Sequence, residues 1–162
     1  MELRCLTDDA ALVRAVQRLN LGILPVQPPA FCYRRAEKDT HRLSWAAVIS
    51  NGGAVSGAVI ADLELERSGQ RTVQLRTLAV PAQFRRQGIG KKLVLKVIQQ
   101  AKKAEEDREE IEAVRLRLHV HTGNDGALAF YKALGFVEKD RVEDYYRHLE
   151  PRTAFVMEYS LH

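Results

Sequence analysis

Between Arg71 and Ala101 the apolar residues change their spacing, and that change constrains the fold more than any other feature of the chain. "RTVQLRTLAV" reads as a strand that places Gln74 and Arg76 on one face, and Pro81 ends it. From Ile89 onward Ile89, Leu93, Val94, Val97, Ile98 and Ala101 fall at helical spacing. A strand, a short basic loop and an amphipathic helix in succession require a mixed α/β chain.

The flanking segments agree. "ELRCL" opens as a strand, and Thr7 is expected to cap a helix whose apolar face carries Leu12, Val16 and Leu19. Asp8 and Asp9 suit the N-terminus of that helix, and Pro25, Pro28 and Pro29 stop it. A second helix is expected from about Ala30 to Lys38. "LSWAAVIS" and "AVSGAVIADLELE" form a hairpin across Asn51-Gly52-Gly53, and Ser68-Gly69-Gln70 turns the chain into the next strand. After the glycine-loop helix comes "AEEDREE", a solvated acidic end, then the alternating strand "AVRLRLHVH". "NDGALAFYKALGF" is a helix capped by Asn124 and closed by Gly135, and two strands around a tyrosine-rich loop finish the chain. The expected order is β-α-α-β-β-β-α-β-α-β-β, one domain over residues 1–162.

Composition narrows the class of ligand. The formal charge of +4 is compatible with an anionic partner. Cys5 and Cys32 are too few for a disulfide framework and read as reduced thiols. The early acids of "MELRCLTDDA" argue against a secretory signal, and the Asn-Gly-Gly turn breaks the longest apolar run. The expected compartment is therefore the cytoplasm, with no membrane partner.

The strand end, basic glycine loop and helix start form an arrangement suited to phosphate. Free N–H groups of a first helical turn point at an anion, and the helix dipole favours negative charge there. Gly88 and Gly90 lack side chains that would hold a ligand away. Residues 82–104 hold seven lysines and arginines and no acid. A Walker A loop is excluded, because Lys92 follows Gly90-Lys91 and Arg85 stands where the first glycine belongs. A dinucleotide fingerprint fails at Leu93, where a third glycine belongs.

The spacing Arg85-x-x-Gly88-x-Gly90 resembles the pyrophosphate loop of the GNAT superfamily of acetyl-CoA-dependent N-acetyltransferases. "HVHTGNDGALAFYKALGF", with Asn124, Tyr131 and Leu134–Phe136, is similar to the closing segment of that superfamily. The resemblance implies a mixed seven-stranded sheet flanked by about four helices, its fourth and fifth strands splayed around acetyl-CoA. It implies cofactor contacts from Leu78, Ala79, Val80, Arg85, Arg86, Gln87, Gly88, Ile89, Gly90, Lys91, Asn124 and Tyr131. No metal is implied: His119-x-His121 has no third ligand near in sequence.

A narrower resemblance covers nearly the whole chain. "LNLGILPVQPP", "LRTLAVPAQFRRQGIG" and "DYYRHLEP" are similar to catalytic subunits of N-terminal acetyltransferase E complexes. Those enzymes acetylate the α-amine of nascent chains that begin with methionine and an apolar residue. By that likeness Leu24, Pro25, Val26, Arg76, Tyr145 and Tyr146 contact the peptide, His119 is the base and Tyr131 the acid for the departing thiolate. The chemistry is modest, since an α-amine has a pKa of about 7.7–8.0 and a lysine amine, at about 10.4, would demand a stronger base. Backbone N–H groups of an interrupted strand near Leu78–Val80 are expected to hold the oxyanion.

The chain also departs from that family. Gln74 stands where a second, tyrosine base is usual, Arg76 where an apolar residue is usual, and Leu24 where phenylalanine is usual. The alternative reading is therefore a weakly active or inactive acetyl-CoA-binding subunit of a larger complex at the ribosome. Sequence-specific nucleic-acid binding is not expected, because the basic helix lacks interleaved aromatics.

Overall fold

The computed structural model describes residues 1–50, 53–107 and 113–162. Asn51 and Gly52 of the expected hairpin turn, and residues 108–110 of the acidic run, lie outside the described residues. The elements are β1 (Glu2–Cys5), α1 (Ala10–Ile23), α2 (Phe31–Lys38), β2 (Trp45–Val48), β3 (Val55–Leu65) and β4 (Arg71–Ala79). After a 3-10 turn at Ala82–Phe84 follow α3 (Ile89–Asp107), β5 (Ala113–His121), α4 (Asp125–Ala133), β6 (Val137–Val142) and β7 (Ala154–Ser160). The order matches the sequence reading, and the strands form one seven-stranded sheet in the order β1-β2-β3-β4-β5-β7-β6. Among the described residues only β4 and β5 pair in parallel, as expected for strands joined through a crossover helix.

Apolar side chains bury against both faces. Ala47, Val59, Val73, Leu75, Leu116 and Leu118 pack under α3 with Leu93, Val94 and Val97. Ala46, Val48, Ala58 and Ile60 meet Leu12, Val16 and Cys32 of α1 and α2 on the other face. Period-two alternation along β2 and β3 feeds both layers, so these strands read as continuous apolar runs. Gly57 is required by space: a Cβ there would lie 2.9 Å from Ile89 Cγ2 and 3.3 Å from the Ala79 carbonyl oxygen.

The first helix begins differently from the sequence reading. Asp9, rather than Thr7, is the N-cap, and its Oδ1 accepts the Leu12 N–H at 3.0 Å. Asp8 turns through a left-handed conformation (φ 59°) that delays the helix, while the Thr7 hydroxyl donates to the Asp39 carbonyl at 2.6 Å. The cap of α4 is as expected, with Asn124 Oδ1 accepting the Ala127 N–H at 3.0 Å.

Candidate active site

Strands β4 and β5 pair only from Arg71↔Ala113 to Gln74↔Arg117. Beyond that point β4 continues to Ala79 and β5 to His121 without pairing to each other. Their facing backbone groups are thus open to a ligand, as in a splayed sheet. The irregularity within β4 lies earlier than Leu78–Val80. Opposite β3, Ile60 pairs with Thr77 and Ala61 with Leu75, so Arg76 is the extra residue of a β-bulge. A bulge re-aims side chains: before it Val73 and Leu75 face α3, after it Leu78 does.

At the end of β4 the chain enters the glycine loop. Arg85 Nε donates to the Val80 carbonyl at 3.0 Å, tying the loop to the strand end. Arg86 (φ 63°) and Gly88 (φ 78°) both take left-handed conformations. At Gly88 a Cβ would meet nothing, so the backbone angle, not space, requires glycine there. Lys92 N–H reaches back to the Gly88 carbonyl at 3.0 Å as the first helical bond. The N–H groups of Ile89, Gly90 and Lys91 precede that bond and are the free donors of the first turn. A methyl group at Gly90 would find only ordinary contact space, its carbon 3.4 Å from Phe130 Cζ. Arg85, Arg86, Gln87 and Lys91 are exposed, which leaves the loop cationic and accessible. These donors and charges fit a polyphosphate.

The other side of the opening is a cavity of about 520 Å³ lined by Gln74, Arg76, His119, Glu64, Arg117 and Glu158, with Lys139, Asp140 and Val156 at its β6–β7 side. His119 and Gln74, on the polar faces of β5 and β4, come together: Gln74 Nε2 and His119 Nδ1 are 3.4 Å apart. Tyr145 lies flat on the His119 ring, centroids 4.4 Å apart and planes 6° from parallel. Burial, then the charges of Arg117 and Arg76, push the His119 pKa below its ordinary value, with Glu64 opposing. A neutral imidazole at neutral pH is the form a general base requires.

Arg76 is held rather than free. Its Nε and Nη2 donate to Asp62 at 2.9 Å each, and Nη2 donates to Glu64 at 2.6 Å. Burial works against its charge, but the bonds and charges of Asp62 and Glu64 outweigh it and raise its pKa. Below it, Glu66 and Glu158 flank Arg115 and Arg117, with Arg117 Nη1 2.8 Å from Glu66 Oε1 and Nε 3.3 Å from Glu158 Oε2. The Glu66 pKa is lowered, first by a hydrogen bond from Thr72 and then, against burial, by both arginines.

The remaining expected residues are dispersed. Tyr131 is buried between Phe130 and Phe136, and burial alone raises the pKa of its phenol. It therefore keeps its proton and can act only as an acid. Tyr146 packs edge-on to His121 and Tyr145, and burial pushes its pKa up to about 12. Leu24 is the C-cap of α1, and neither it nor exposed Pro25 and Val26 lines the His119 cavity. His121 Nε2 lies against the Pro151 carbonyl, and no group of three or more metal-binding side chains occurs among the described residues.

The sequence reading did not single out Asp62, Glu64, Glu66 and Glu158. A signal existed: "DLELE" places acids at period two on β3, as "RLR" places Arg115 and Arg117 on β5.

Residues 14–136 match the model of the acetyltransferase (GNAT) family. "Probable N-acetyltransferase san" of Drosophila melanogaster is 33% identical over 107 residues, 66% of this chain and 54% of its own. The chain thus spans about half the length of that curated relative. "N-alpha-acetyltransferase 50" of Danio rerio is 28% identical over 150 residues, covering 92% of this chain and 83% of its own. Among solved structures, Arabidopsis thaliana Naa50 in complex with the bisubstrate analogue CoA-Ac-MVNAL superposes with a TM-score of 0.81. It shares 28% identity and covers 98% of this chain and 97% of its own.

Proposed function

Because the chain belongs to the acetyltransferase (GNAT) family, we propose that it transfers acetyl from acetyl-CoA to the α-amine of polypeptides beginning with methionine and an apolar residue. The observation that carries this reading is the splay of β4 from β5, with the cationic glycine loop on one side and a neutral-leaning His119 on the other. The peptide part of the bisubstrate analogue in the Arabidopsis structure begins with methionine and valine, which supports the substrate class. We also propose that it works on nascent chains, in the cytoplasm, within a larger N-terminal acetyltransferase complex.

Acetyl-CoA supplies an activated thioester. Arg85, Arg86 and Lys91, with the free N–H groups at the start of α3, would hold its phosphates, and the open edge at Leu78–Val80 would take its acyl arm. His119 accepts the proton that the α-ammonium loses, directly or through water. The new bond is N–C and the broken one C–S; buried Tyr131 donates a proton to the leaving thiolate, and the second proton that the nitrogen loses as the amide forms restores the phenol. Gln74 cannot accept a proton, but its amide, 3.4 Å from His119 Nδ1, helps to orient the imidazole.

The ion pairs around Arg76 favour a second reading. A site whose cation is locked by Asp62 and Glu64 in place of an apolar contact suits a slow enzyme that serves mainly as an acetyl-CoA-binding subunit. CoA release with a Met-Leu peptide, a Ser-starting control and His119→Ala separates the two. Turnover with Met-Leu that falls by about 10²–10⁴-fold in His119→Ala establishes the first reading. Acetyl-CoA binding without turnover establishes the second.

A further inference from the structure

A second cavity, of about 440 Å³, adjoins the active site across Asp62, and its features are not used by the reaction. It is bordered by Arg34, Arg35 and Lys38 of α2, by Asp39 and His41, and by Asp62 and Leu63 of β3. A neighbouring depression shares His41 and Leu63 and extends to Leu65 and Arg71. Both lie along a sheet edge. The pairing of β2 with β3 ends at Trp45↔Val59, and the Ser44 hydroxyl, 3.1 Å from both N and O of Ala61, closes the ladder. From Asp62 to Leu65, β3 pairs with β4 on one side only.

The charges that α2 sets along this edge are cationic. The acids of the edge are already engaged: Asp39 accepts the N–H groups of His41 and Leu43, Asp62 holds Arg76 with Arg35 at 3.8 Å, and half-exposed Glu64 accepts from Arg76 at 2.6 Å. Arg34 and Lys38 are exposed, Arg71 is half-buried, and none of the three has an acidic partner among the described residues. On the opposite face of the strand Leu65 is 70% exposed, with Arg71 paired beside it and Arg34 and Lys38 on the α2 side. An exposed edge with alternating cationic and apolar sides matches the requirements of strand addition.

We propose that the edge Asp62–Leu65 receives an acidic, extended segment of the substrate polypeptide a few residues beyond the amine that is acetylated. This rests on the acetyl-transfer reading, which places the amine beside His119. An added strand would lie three strand spacings from β5, about 14 Å, the span of about four extended residues. Alternation then directs acids at every second position toward Arg34, Arg35 and Lys38, and apolar residues between them over Leu63 and Leu65. Charged side chains also guard sheet edges against self-pairing. The cations of α2 do so against basic strands, while leaving the edge open to an acidic strand.

The test uses the whole chain and three labelled, N-acetylated peptides with the same Met-Leu-Gly-Ser start, followed by (Glu-Val)3, (Lys-Val)3 or (Gly-Ser)3. Fluorescence anisotropy should show the acidic peptide binding at least tenfold tighter than either other. Arg34→Glu with Lys38→Glu should remove that preference and favour the lysine peptide, leaving kcat/KM for unlabelled Met-Leu-Gly-Ser unchanged. N-methylation of alternate amides in the Glu-Val segment should weaken binding as much as the charge reversal does. Equal binding of the three peptides overturns the proposal. So does unimpaired binding of the N-methylated peptide, or tighter binding of a single-stranded RNA oligonucleotide that the acidic peptide cannot displace. Anisotropy needs no turnover, so a protein that binds the acidic peptide yet acetylates nothing overturns the acetyl-transfer reading alone. One that acetylates the short peptide and shows no acidic preference overturns only this proposal.

Discussion

The glycine loop and the charged face of β3, β4, β5 and β7 border the same opening, yet they are built by opposite means. The loop works through its backbone: two left-handed residues, a tie from Arg85 to Val80, and free N–H groups at the start of α3. The sheet face works through side chains from distant parts of the chain, such as Arg76 on Asp62 and Gln74 on His119, across 14 and 45 residues. A backbone device is local and tolerates only glycine at its sharpest position. A side-chain network is non-local, and each member depends on the others being in place. The largest test of this contrast is removal of the network's centre.

Asp62→Ala should be the most damaging single change on the charged face. Its carboxylate is 8% exposed and accepts two bonds from a guanidinium that is itself 21% exposed. Taking away one partner leaves a desolvated cation with Glu64 alone, at a cost of about 3 kcal/mol. For a chain of this size the midpoint should fall by about 6–12 °C in thermal denaturation. An unchanged midpoint would mean that Arg76 relaxes into solvent and that the face is a set of independent surface pairs.

Gly88→Ala and Gly90→Ala sharpen the other half of the comparison. Left-handed backbone costs an alanine about 1–2 kcal/mol, so Gly88→Ala should weaken acetyl-CoA binding by about 5–30-fold as the loop relaxes. The fold has room for a methyl at Gly90, so that variant should keep its thermal midpoint and lose affinity only through contact with the ligand. Calorimetric titration with acetyl-CoA beside thermal scans distinguishes the two. If Gly90→Ala binds as wild type, the phosphates lie away from the first turn of α3.

The same contrast explains what the sequence made legible. The loop, the strand before it and the helix after it stand in one continuous stretch, so Pro81, Gly88, Gly90 and the apolar spacing from Ile89 disclose them together. The strand order and the pairing limits of β4 with β5 need the assembled sheet, and a single chain pattern carries no sign of where pairing stops. His119 and Gln74 could be placed as neighbours because alternation puts them on polar faces of strands that pair. Asp62 could not, since the bulge at Arg76 shifts the register and decides which carboxylates the guanidinium meets. The cap at Asp9 was missed for a local reason, the left-handed turn at Asp8, which a non-glycine residue seldom announces.

The smallest effect tests whether the amide on His119 tunes the base. In the native protein burial, Arg117 and Arg76 depress the imidazole pKa, so His119 is neutral above its ordinary value of about 6.5. A depressed pKa means the unfolded chain binds the proton more readily. The stability that this histidine contributes is therefore present above about pH 6.5 and is lost as the pH falls below it. Gln74→Glu changes one amide to a carboxylate within reach of Nδ1 and favours the charged ring. The acidic limb of kcat should move to higher pH, making the variant several-fold slower near about pH 6 and equal to wild type in mildly alkaline buffer. The loss of thermal stability on acidification should shrink in the same variant. Movement of the kcat limb with Gln74→Glu but not with Gln74→Leu assigns the effect to charge at the imidazole. A limb that stays fixed in both would place the titrating group on the peptide's own α-amine and leave Gln74 a structural residue of β4.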